Sequence, residues 1–117
     1  PHNPEAAIAA AARYMRFLFD QFREIPDVRE RWRFALASYN AGRGNVNRML
    51  ALAREACGQP ASYSEWVRAG QPPGPWQQWR FASLYLARVT GRHAEETLAY
   101  VRRIAGDEGD PYGVLEV

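Results

Sequence analysis

The stretch of this chain best equipped for chemistry is Ser38-Tyr39-Asn40-Ala41-Gly42-Arg43-Gly44-Asn45-Val46. A phenol and a carboxamide stand side by side, and two glycines follow closely. An apolar helical run carrying Trp32, Ala35, Leu36 and Tyr39 stops at Asn40, and Asn45 opens the next apolar pattern, so the spacing predicts a helix, a tight turn and a helix. Glycine takes positive φ without a Cβ penalty and lets a second molecule approach the backbone, so Gly42 and Gly44 suit a turn, a ligand, or both. Tyr39 falls in the last turn of its helix, where its ring can enter the core while its hydroxyl reaches a cleft. A second pair, Glu96 and Tyr100, lies four residues apart on one face of the last helix. The plain reading of Glu96 is a carboxylate in a first turn, favoured by the helix dipole.

Other chemistries find little support. His2 and His93 are far apart and no His or Cys pair has ligand spacing, so no metal is expected. His93 reads as a polar residue at a helix start. Cys57, the single cysteine, cannot form an internal disulfide, and nothing marks it as electropositive or exposed; near the end of an apolar helix it reads as a buried structural thiol. Gly42-Arg43-Gly44 is too short for a phosphate-binding glycine loop, and no cofactor is indicated. All 15 basic residues are Arg, but 13 acids are interspersed and the net charge is only +2. No basic block forms, so nucleic acid is not an expected partner.

The elements that position these residues read as helices. Asn3 should cap the first, with Pro4 and Glu5 in its opening turn. Ile8, Ala11, Ala12, Met15, Leu18, Phe19 and Phe22 form its apolar stripe, and Pro26 stops it near Arg23. Asp27 and Glu30 have capping-box spacing, which predicts a second helix from Val28 to Tyr39. Asn45 is expected to cap the third, which runs to Gly58. Ser62 and Glu65 open a short helix ending at Gly70. Gln71-Pro72-Pro73-Gly74-Pro75 must be a stiff exposed loop. A long helix from Pro75 or Trp76 to Thr90 follows, then a last one from Ala94 to Ala105, ended by Gly106. From Asp107 the acidic, glycine-rich tail should fray. No alternating strand pattern occurs. The prediction is an all-α domain of five or six helices with Ile8, Met15, Phe19, Trp32, Leu36, Leu50, Leu86 and Val101 in one core.

The glycine stretch resembles the A-Y-N-A-G-x-G-x-V signature of the soluble lytic transglycosylase family, lysozyme-like enzymes that cleave the glycan strands of bacterial peptidoglycan. Two further words follow the family's order. Pro4-Glu5-Ala6-Ala7-Ile8-Ala9-Ala10-Ala11-Ala12-Arg13-Tyr14-Met15 is similar to P-x-x-N-I-x-x-G-x-x-Y-L, with Ala7, Ala11 and Met15 as departures. Glu96-Thr97-Leu98-Ala99-Tyr100-Val101-Arg102-Arg103-Ile104 is similar to E-T-x-x-Y-V-x-x-I.

The resemblance implies a lysozyme-like fold and a saccharide groove bordered by Tyr39, Asn40 and Tyr100, with Gly42 and Glu96 in the substrate-binding set. Aromatic rings pack on sugar C–H faces while amide and hydroxyl groups bond sugar hydroxyls. The family needs a single Glu, because the substrate's N-acetyl group is thought to assist, and the product closes as a 1,6-anhydro sugar. That Glu belongs to an E-S segment followed by G-x-M-Q, and neither is matched here. Residues 1–117 are therefore expected to form one domain lacking its N-terminal catalytic segment, and to be inactive alone. Glu96 is the only acid at a specified position of a family word. The other acids sit mostly beside arginines, as in Arg29-Glu30-Arg31 and Arg54-Glu55, and none reads as a desolvated general acid. The expected partners are peptidoglycan glycan strands, with self-association or a missing N-terminal segment covering leftover apolar surface. The cell envelope, or a phage, is the implied setting. No signal peptide is visible, and no apolar run approaches the roughly 20 residues that span a bilayer. The rival is a non-catalytic helical module that binds glycan or a partner protein.

Overall fold

A computed structural model of the chain describes residues 3–106. The first helix, α1 (Pro4–Gln21), starts as its caps dictate: Oδ1 of Asn3 accepts the N–H groups of Glu5 at 3.1 Å and Ala6 at 3.2 Å. Asp27 caps α2 (Val28–Ala41) by accepting the Glu30 N–H at 2.9 Å. The Glu30 side chain does not fold back to complete the box. Its Oε1 accepts the Trp79 N–H at 2.6 Å and its Oε2 pairs with Arg33 at 3.2 Å, tying α2 to a distant part of the chain.

Helix α3 (Arg43–Ala56) is capped by Gly42 and not by Asn45 as expected. The amide of Asn45 instead turns back, donating from Nδ2 to the Ala41 carbonyl at 2.8 Å, so it satisfies the end of α2. Ser62 caps the short α4 (Tyr63–Arg68) through the Glu65 N–H at 3.3 Å. The long helix expected over 75–90 is broken. A 3-10 turn at Pro75–Gln77, α5 (Trp79–Ala82), a second 3-10 turn at Ser83–Tyr85 and α6 (Ala87–Thr90) take its place. Gln78 is extended (φ −102°, ψ 134°), because the Trp79 N–H is drawn to Glu30 and the Gln77 amide bonds the Glu24 carbonyl at 2.8 Å. The last helix is α7 (His93–Ala105). Counting 75–90 as one interrupted segment gives six helical units, and no strand occurs among the described residues. The all-α expectation holds. The tail from Asp107, expected to fray, lies outside the described residues, as does His2.

Helix α2 is central: Arg33 to Ser38 are six consecutive buried residues, so all its faces are covered, by α1, α3 and α7. The predicted single core is divided. Phe22, Phe34, Leu36, Val46, Met49, Leu50, Trp66, Trp76, Trp79, Leu86 and Val101 belong to the larger cluster. Leu18, Phe19 and Ala35 form a smaller one flanked by Met15 and Trp32, which are only half-buried. Ile8 is 69% exposed, a correction to its core assignment. The stripe on α1 is real, but only its C-terminal half meets α2. Cys57 is likewise half-buried, packed on the edge of the larger cluster.

Candidate functional site

Because α2 ends at Gly42, it delivers Asn40 and Ala41 to the wall of a pocket of about 300 Å³. Gly42 has φ +98°, which strains any residue with a Cβ, while its N–H bonds the Ser38 carbonyl at 2.8 Å. The opposite wall comes from α6 and α7 and carries Thr90, His93, Glu96 and Thr97. Thr97 is 2% exposed, and its hydroxyl lies 2.7 Å from Oδ1 of Asn40. Glu96 and His93 are exposed at the mouth. Two of the predicted site residues, Asn40 and Glu96, are thus brought into one pocket.

Gly42 serves the turn and is not in that pocket's wall, and neither are Tyr39 and Tyr100. Tyr39, 41% exposed, stands against Tyr14 with ring centroids 5.9 Å apart, and Tyr14 stacks on Phe17 at 6.3 Å. Burial pushes the Tyr100 phenol above its ordinary value and the neighbouring Tyr39 adds to this, while the Arg103 guanidinium, 5.9 Å from the ring, opposes both. Tyr14, Phe17 and Tyr39 therefore form an aromatic edge separate from the amide pocket, with Tyr100 near enough for the Tyr39 phenol to act on it.

A second cavity, of about 510 Å³, shares no residue with the first. Asp20 and Gln21 line it from the end of α1, Arg23 and Glu24 from the turn after it, and Arg43, Asn47 and Arg54 from one stripe of α3, with Ala61 and Tyr63 closing it. Glu24 is 7% exposed. Burial pushes its carboxyl above the usual range, opposed in turn by its own backbone N–H and by Arg43, Arg54 and Arg31. The same burial lowers the affinity of Arg43 and Arg54 for their protons, opposed by Glu24. Arg54 is 3% exposed and clamps the Pro60 and Ala61 carbonyls at 3.2 and 2.8 Å, its guanidinium 5.0 Å from the Trp76 ring. Arg43 ties Asn47 to Gln21 at 3.0 and 3.2 Å.

The sequence offered no desolvated acid, and Glu24 corrects that. Its signal was its place between Phe22 and Ile25, both fully buried. Thr97 was also missed as a site residue, although it follows Glu96 in the same word. The first pocket offers an amide, a hydrated carboxylate and an imidazole, which suits holding a neutral polar ligand. Among the described residues no cluster of three or more His, Cys, Asp or Glu side chains is placed to hold a metal ion. No helix among them is long and apolar enough to cross a membrane.

A family model for the transglycosylase SLT domain matches residues 1–60. That span includes α1, α2 and the glycine turn, and more than half of the 117 residues. No curated protein and no solved structure matches the chain. With its all-α fold and the glycine turn inside the matched span, the chain belongs to the SLT transglycosylase domain family.

Proposed function

We propose that the chain is the glycan-holding part of a peptidoglycan lytic transglycosylase of the cell envelope or of a phage, cleaving between N-acetylmuramic acid and N-acetylglucosamine to a 1,6-anhydro product. The observation that carries this is the meeting of two family words: the turn that ends α2 sets Asn40 beside Thr97 and Glu96 of α7. Asn40 and Glu96 bond the sugar, and the edge of Tyr14, Tyr39 and Tyr100 packs on its C–H faces.

General acid catalysis needs a carboxyl group that stays protonated within reach of the glycosidic oxygen, hence one partly withdrawn from water. Glu96 is exposed and lacks that environment. The acid then comes from a segment outside these residues, which packs on the exposed apolar surface of α1 around Ile8. Peptidoglycan incubated with the chain, and with a version extended by the residues encoded before Pro1, is analysed by mass spectrometry. Anhydro-muropeptides are expected from the extended version only. The same products from the present chain would place the acid within it, at Glu96 or Glu24.

A further inference from the structure

We propose that Thr97 is a positioning residue of the groove: its hydroxyl holds the Asn40 amide with Nδ2 toward the pocket, so that the site reads a carbonyl oxygen on its ligand, as an N-acetylated sugar presents. The inference rests on the groove assignment above and adds a polarity to it.

A carboxamide has an acceptor end and a donor end of nearly equal shape, and its hydrogen-bond network decides which end faces where. The Thr97 hydroxyl has one hydrogen and two oxygens nearby, Oδ1 of Asn40 at 2.7 Å and the His93 carbonyl at 3.4 Å. The first distance is the common one for O–H···O, and the second is beyond the ordinary range. The reversed amide would donate to the hydroxyl and force its hydrogen onto the distant His93 carbonyl. Thr97 therefore donates to Asn40, and Nδ2 is left as the outward group. Among the described residues Nδ2 has no acceptor.

The surroundings agree. The other amide of the pocket, Asn45, spends Nδ2 on the Ala41 carbonyl. Asn40 is then the amide of the wall whose donor end is left for a ligand. The Glu96 carboxylate of the same pocket only accepts hydrogen bonds, so it supplies no donor for a ligand carbonyl. A ligand lacking the carbonyl leaves the Asn40 donor unpaired on closing, and that asymmetry discriminates between sugars of the same size.

The test uses the whole chain, labelled with nitrogen-15, titrated with the β-1,4-linked tetramers of N-acetylglucosamine and of glucose. The wild type is expected to bind the acetylated tetramer about 10-fold more tightly. Thr97→Val should lose that preference and, without sugar, shift the Asn40 side-chain NH2 resonances, while Thr97→Ser should retain both. A Thr97→Val protein that keeps the wild-type preference and the wild-type NH2 resonances overturns the assignment while the groove stands. A wild type that binds neither tetramer overturns the groove assignment and this inference with it. Equal binding of both tetramers by the wild type overturns the inference alone.

Discussion

The pocket around Asn40 and the cavity around Glu24 are both polar, but their polar groups live in opposite surroundings. Around Asn40 a neutral amide is pinned by a buried hydroxyl, and the Glu96 and His93 side chains stay in water. Around Glu24 the charges themselves are buried: a carboxyl and the Arg54 guanidinium are both more than nine-tenths removed from solvent. Buried charges are costly to leave unpaired, so they are held by structure and felt in stability. A preorganised neutral donor at an open mouth has little bearing on stability and is felt in binding. Size alone would favour the Glu24 cavity as the functional site. The family words instead meet at the smaller pocket.

Five substitutions break or sharpen this contrast. The largest effect is expected from Arg54→Met, which strips the Pro60 and Ala61 carbonyls of their donor and leaves Glu24 with one cation fewer. Denaturant unfolding should show a loss of about 3 kcal/mol, with glycan affinity of the folded protein unchanged. A loss under about 1 kcal/mol would mean that water replaces the clamp. Tyr39→Ala comes next. A ring fully in the core would cost about 3 kcal/mol, but one 41% exposed should cost only about 1. Tyr39→Phe should melt like the wild type and bind glycan more weakly, since only the polar tip is lost.

Glu24→Gln should show its effect through pH. The folded-state value of Glu24 lies above its unfolded value, so the stabilisation linked to its bound proton is complete below the ordinary carboxylate range and is lost as pH rises through the folded value. Gln stays neutral throughout, so the stability of the variant relative to the wild type should improve from pH 4 to pH 8. Thermal melts across that window check the sign; a relative stability that falls with pH would mean that the three arginines outweigh burial. Glu96→Gln is expected to have the smallest effect on stability, within about 0.5 kcal/mol, because its carboxylate is exposed. It should still weaken glycan binding, which calorimetry measures.

What the sequence made legible is local. The caps at Asn3, Asp27 and Ser62 depend on a side chain and an N–H two or three residues on, and Gly42 announces the turn that exposes Asn40. The break at Gln78 was hidden because its causes, Glu30 and the Glu24 carbonyl, lie about 50 residues away in sequence. The stripe on α1 told which face of Ile8 is apolar but not that nothing among the described residues would cover it. Glu24 shares its cavity with α3 residues and Ala61, which no window around it contains. Thr97 stood in plain view as a letter of a word, and its partner Asn40 is 57 residues distant.

The contrast between the two regions is tested most directly by mapping amide and side-chain resonances of the labelled chain during titration with solubilised peptidoglycan glycan strands. The account predicts shifts that saturate at Asn40, Thr97, Glu96 and Tyr100 and leave Gln21, Arg43 and Asn47 unmoved. Shifts gathered around Glu24 and Arg43, with Asn40 silent, would contradict it.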